Sequence, residues 1–163
     1  MIEPMIEPTF VILGILASVA IPRLAATRED AEISAAVANL RTLVSDASAY
    51  LAVQGSFGNT VTWKQITSVP LANNTVAATA NGTLASLKVG GKECINFRLT
   101  DKGTNTGAQI AIAKNGTNKT QGVCAKVLAS DPIKAYFIGA NGKVADAGTI
   151  AIGSNTNIYT TTP

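Results

Sequence analysis

The sequence contains no histidine, and its only cysteines are Cys94 and Cys124. Imidazole acid–base chemistry, Cys–His nucleophile pairs and multi-thiolate zinc sites are therefore absent. No Walker-type glycine-rich loop occurs, so the chain has no nucleotide-binding signature. These absences remove most enzyme classes and leave a structural or interaction role as the expectation, with no cofactor and no metal. Charge is also scarce, at 14% of residues, and is missing altogether between Glu7 and Arg23. From Phe10 to Gln54 there is one glycine, Gly14, and one proline, Pro22.

Two cysteines about thirty residues apart, with no third and no CxxC, fit one structural disulfide in an oxidising compartment or two buried free thiols. The disulfide reading is the expectation, and it places the chain outside the cytoplasm. The formal charge of +3 conceals an asymmetry. Residues 1–54 hold three basic and six acidic residues, a net of −3, whereas residues 55–163 hold ten basic and four acidic, a net of +6. Such a split suits copies stacked negative segment to positive body, and also suits weak polyanion binding or simple solubility.

What is present divides near Gly55. After Pro22 the large apolar residues fall at Leu24, Ile33, Val37, Leu40, Val44 and Leu51, with Arg28, Glu29, Asp30, Glu32, Arg41 and Asp46 mostly off that line. Steps of three, four and seven predict an amphipathic helix laid on a core, ended by Gly55, Ser56 and Gly58. The first half of the same helix is apolar on every side, through Phe10, Val11, Ile12, Leu13, Ile15, Leu16, Val19 and Ile21. At roughly 1.5–3 kcal/mol per large side chain, leaving these in water forfeits on the order of 10–20 kcal/mol, comparable to the stability of a whole domain. The segment must be surrounded by a membrane, by copies of itself, or by each in turn. Its fifteen uncharged residues are slightly short of the about twenty that span a bilayer. They match a signal peptide in length, but helical periodicity continues to Gln54 where a cleavage site would be needed.

Beyond Gly55, β-compatible runs are predicted at residues 60–66, 87–89, 94–99, 109–113, 123–128, 135–138, 149–152 and 158–161. The turn signals Asn81-Gly82, Gly90-Gly91, Asn115-Gly116 and Asn141-Gly142 separate them. In the third run, Ile95, Phe97 and Leu99 alternate with Cys94, Asn96 and Arg98, so one face is apolar. The fold class expected is α+β: a long N-terminal α-helix over residues 1–54, its second half, 23–54, packed on an antiparallel β-sheet head over residues 55–163.

The stretch from Phe10 to Ala52 resembles the N-terminal helix of type IV pilins and of the related type II secretion pseudopilins. Gly14, Ala17, Ala20, Ile21 and Pro22 stand where that family's mature subunits place them, counted from residue 1. The resemblance covers about a third of the chain. It implies the pilin fold with one disulfide in the head, and a subunit of an extracellular helical filament of identical copies. Assembly would run from the inner membrane with the help of separate pilus machinery, through residues 10–22, chiefly Phe10, Val11, Ile12, Leu13, Gly14, Ile15, Leu16, Val19, Ile21 and Pro22. It further implies that the helix unwinds between Gly14 and Pro22 when a subunit leaves the membrane, which a poor helix former and a missing donor permit. A pseudopilin of a secretion system is the first alternative; the cysteine pair favours a pilin, since the pseudopilin likeness more often brings a calcium loop. An adhesive or DNA-uptake filament subunit is the second alternative, requiring a basic face with Trp63 or Tyr136 beside it to hold nucleic acid.

The first nine residues depart from the family. Met1 and Met5 occupy the positions of its methylated Phe and its assembly glutamate, so no role passes to Met5, and Glu7 is the substitute considered. No charged leader ending in Gly precedes residue 1, which reads as a chain already processed or never processed. The tandem MIEP reads as an added tag, an imperfectly determined stretch or a divergent natural terminus, with Pro4 and Pro8 opposing regular helix. Weaker constellations have plainer explanations. Glu29, Asp30 and Glu32 fit a solvated helix face, and the loop from Asp101 to Asn105 fits Asx-turn chemistry better than a calcium site. The sequons at Asn73, Asn81, Asn115 and Asn118 are as many as chance gives in a chain so rich in Asn and Thr. The tail from Ser154 to Pro163 frays or adds an edge strand through Ile158-Tyr159.

Overall fold

The structure, a computed structural model, describes residues 7–79, 84–101, 107–138, 143–152 and 159–160, with backbone alone at 7–8, 19–25 and 159–160. The chain forms two compact units that divide after Glu32, and helix α1, Glu7–Gln54, runs through the division. A sequence rich in Ala and Leu, with two potential breakers in its interior, sustains this length. Pro8 is tolerated because it falls in the first turn, where its missing N–H has no intrahelical partner to lose. The expectation of an irregular terminus is therefore corrected from Glu7 onward. At the other end Gly55 adopts φ +76° and donates its N–H to the Leu51 carbonyl at 2.8 Å, the left-handed cap that the sequence foretold.

The second unit is α+β. Its sheet is an antiparallel meander in chain order, β1 (Leu71–Ala72), β2 (Ala85–Val89), β3 (Lys92–Thr100), β4 (Gln109–Lys114), β5 (Ala147–Ala151) and β6 (Tyr159–Thr160). Gly90 and Gly91, both at positive φ, make the two-residue turn between β2 and β3 whose twist suits a tight hairpin. Leu99 pairs with Ile110 and Phe97 with Ile112, so these side chains share one face. That face joins one core with Ala36, Leu40, Leu43 and Ala47 of α1. Of the residues of α1 chosen by size, Leu40 is fully buried and Ile33, Val37, Val44 and Leu51 are half-buried against the core, while the side chain of Leu24 lies outside the described residues; Leu43 and the small Ala36 and Ala47, not among those chosen, are fully buried. Alanine lets the rest of the core approach the helix backbone, so the buried stripe is centred on Leu40 and Leu43.

Three predicted strands are helical instead. In place of residues 60–66 stands the turn α2, Trp63–Ile66, whose Gln65 Oε1 accepts the Thr62 N–H at 2.9 Å in half of a capping box. The indole of Trp63 is 1% exposed and meets Phe97 edge-on at 6.1 Å. In place of 123–128 stands α3, Gly122–Ala129, which buries Cys124, Val127 and Leu128, a three-and-four spacing rather than alternation. Ser130 ends it, donating Oγ–H to the Val127 carbonyl at 2.6 Å, and α4, Asp131–Lys134, follows through Pro132. Residues Ala135–Phe137 form a 3-10 turn that buries Phe137 instead of a strand. The head is thus more than the succession of hairpins expected. Asn81-Gly82 and Asn141-Gly142 lie outside the described residues.

Cys94 breaks the predicted alternation. The β2–β3 register shifts between Leu87, paired with Ile95, and Lys88, paired with Glu93, leaving Cys94 as the extra residue of a bulge. Cys94 and Ile95 are consequently both buried, and Cys94 bonds Cys124 across a Cα–Cα distance of 5.1 Å. The bond closes a loop across a separation of 30 residues and ties α3 to the sheet, worth about 3–4 kcal/mol in the chain-entropy model. Replacing both cysteines with Ala is expected to lower unfolding free energy by about that amount, read by urea denaturation of the oxidised parent and the variant. Ala47→Leu is expected to destabilise by about 1–3 kcal/mol through overpacking, whereas Ala49→Leu on the exposed side of the same turn leaves the midpoint unchanged.

Candidate assembly surface

In α1 the side chains of Phe10, Val11, Ile12 and Leu13 leave the axis at successive steps of about 100°, so four consecutive residues cover the whole circumference. Ile15 and Leu16 repeat the pattern one turn on. All six are between 57% and 68% exposed in the single chain. Nothing lies within 4 Å of a side chain built at Gly14, so the notch it leaves in this apolar cylinder is open. Ser18 is the polar interruption, and its Oγ–H is turned back to the Ile15 carbonyl at 2.8 Å. A hydroxyl satisfied inside its own helix can enter an apolar environment at little cost. Sequence reading did not single out Ser18, although serine inside an apolar helical run is the signal for this back-bond.

The backbone stays helical through Val19, Ile21 and Pro22, and no break separates Gly14 from Pro22 in the single chain. Glu7 is the first residue of α1, where a carboxylate suits the positive end of the helix dipole. The side chains of Glu7, Val19, Ile21 and Pro22 lie outside the described residues, and so do Met1 and Met5. Among the described residues no helix is long and apolar enough to cross a membrane. At about 1.5–3 kcal/mol each, the six exposed side chains represent roughly 9–18 kcal/mol available to whatever covers them.

The remaining constellations have other occupations. Arg28 Nε lies 3.3 Å from Glu32 Oε1 across one helical turn, a solvent-exposed pair of little energetic weight. Among the described residues no group of three carboxylates, cysteines or histidines is set to hold a metal. Asp101 accepts the Gly58 N–H at 3.0 Å and so anchors the segment after α1; residues 102–106 lie outside the description. Cys94 and Cys124 are joined and buried, as expected. The indole that a nucleic-acid surface would need for stacking is enclosed at Trp63, and Tyr136 is half-buried against the core.

Among the head's cations, Lys114 and Lys119 converge on Asp146, Lys114 Nζ at 3.3 Å from Oδ1 and Lys119 on Oδ2. The Lys119 hydrogen bond first, and that of Lys114 second, hold the Asp146 carboxyl below the usual carboxylate range. A depressed folded value means that this pairing supports the fold above the unfolded pKa of about 3.9 and that the support is lost as pH falls through the folded value. Asp146 is exposed, so the contribution is screened. Carboxyl-carbon NMR is expected to show Asp146 titrating below a reference Asp, and to show its midpoint moving upward in Lys119→Ala more than in Lys114→Ala. Comparison of the chain with models of protein families, with curated proteins and with solved structures returned no match.

Proposed function

We propose that the chain is the structural subunit of an extracellular filament of the type IV pilin kind, in which the apolar segments bundle at the centre and the β heads form the outside. The observation that carries this reading is the ring of six exposed apolar side chains from Phe10 to Leu16 on a helix whose later turns close the core of the head. A surface apolar on every side has to be enclosed on every side, and several parallel copies of the same helix do this where a single partner covers one face. Gly14 admits a neighbouring helix, and Ser18 brings no unsatisfied donor into the bundle. The pilin fold agrees with the observed class, a long helix, an antiparallel sheet and one disulfide, and the family register of Gly14 and Pro22 supports it. Before assembly the same segment would rest in the inner membrane, from which pilus machinery would extract it, and the disulfide suits a head that matures outside the cytoplasm.

Electron microscopy of the native material tests the proposal: long filaments are expected. Leu13→Arg is expected to reduce filament mass at least about a hundred-fold, because an unpaired buried guanidinium costs about 3–5 kcal/mol. The near-ultraviolet signal of Trp63 and the melting of the head should be unchanged. Wild-type chain that stays a monomer in water, with Phe10 to Leu16 helical and uncovered, would overturn it; short filaments seen only on overexpression would point to a secretion pseudopilin.

A further inference from the structure

We propose that Asn73 is an N-glycan acceptor. This rests on the extracytoplasmic half of the reading above, not on filament formation. Four Asn-x-Thr sequons occur, and three lie among the described residues. The structure separates them. Asn115 is half-buried and fully employed: its Oδ1 accepts the N–H groups of Thr117 at 3.1 Å and Asn118 at 3.2 Å, and its Nδ2 donates to Asn96 Oδ1 at 3.3 Å. Asn118 is also half-buried, with Nδ2 donating to the Glu93 carbonyl at 3.0 Å. Together they pin the segment leading to α3 onto β3, and a sugar on either amide would sit where that segment meets the strand.

Asn73 differs in each respect. It is exposed, as is the Thr75 hydroxyl residue of its sequon. The Val76 N–H bonds the Asn73 carbonyl at 3.2 Å, so Asn73, Asn74 and Thr75 form the tip of a tight turn. At φ +55° Asn73 occupies the left-handed region that Asn tolerates better than most residues. Its Nδ2 reaches the Leu84 carbonyl only at 3.4 Å, and an amide that has exchanged one hydrogen for a sugar keeps a second with which to donate. In the transfer, Nδ2 forms a bond to C1 of a sugar, the bond from C1 to the diphosphate of a lipid-linked oligosaccharide breaks, the diphosphate leaves with the electron pair, and the amide proton passes to solvent. A sequon on an exposed turn of a disulfide-bearing chain is the context in which this modification is met.

Asn73 immediately follows β1, the terminal strand of the sheet, which holds its neighbour by the two pairs Leu71–Leu87 and Ala72–Ser86, so a sugar there lies at the sheet's margin and clear of the core.

Intact-mass spectrometry of the protein purified from the organism that makes it, with peptide mapping over residues 71–84, tests the assignment. The expected result is a mass above that of the polypeptide by at least one sugar residue. The increment should be lost in Asn73→Gln and in Thr75→Ala, and retained in Thr75→Ser and in Asn118→Gln. A native chain at the polypeptide mass, or an increment that survives Asn73→Gln, overturns it. Micrographs of the same preparation report separately on the filament, so failure of one reading is not failure of the other.

Discussion

A single helix from Glu7 to Gln54 carries side chains that demand two different surroundings, and the rest of the molecule is arranged around that demand. Over its last five turns the helix has a buried stripe and a solvated face, and its own head supplies the cover. Over its first turns no face is solvated by preference, and the six large side chains from Phe10 to Leu16 are exposed. The helix cannot satisfy its beginning and its end in the same way.

The head is built to hold its share of that helix without help from the rest. Ala36 and Ala47 let the core close against the backbone, Leu40 and Leu43 fill it, and Trp63 and Phe97 cross edge to face within it. The bulge at Cys94 turns two successive residues inward, which puts a sulfur where α3 can reach it and joins the short helices covalently to the sheet. Asp46 adds a polar strut, accepting the Thr67 hydroxyl at 2.6 Å across the end of α2. The polar groups that secure these joints, Ser86 on Asn96 and Asn118 on Glu93, are paired within the head.

Much of this was legible in the residues because long-range patterns average out local ambiguity. A helix of nearly fifty residues, its stop at Gly55, the strands around Ile95 and Ile110 and the cysteine partnership all rest on signals repeated many times or on the absence of alternatives. The short elements were misread where β-branched and aromatic residues, such as Trp63, Val123 and Val127, occupy helices of four to eight residues that tertiary contacts hold in place. The buried stripe of α1 was read rightly at Leu40 but without Leu43, Ala36 and Ala47, the two alanines because a small side chain gives no hydrophobic signal although the core closes on it. The inward turn of Cys94 depends on a register shift that no local composition announces. At the candidate surface the residues could be named in advance, from Phe10 to Leu16, but their exposure is a fact of three dimensions.

The order of the strands bears on how such a molecule comes into being. Each strand of the sheet lies beside its predecessor in the chain, but the pairings differ in reach: β2 and β3 meet through a two-residue turn, whereas β4 meets β5 only across α3 and α4, Gln109 with Ala151 and Ala113 with Ala147. Local pairings cross small entropic barriers, and pairings that close a longer loop cross larger ones. The hairpin of β2 and β3 can therefore form ahead of the rest, whereas β5, with β6 beside it, waits for the segment that carries α3 and its disulfide to fold back on the sheet.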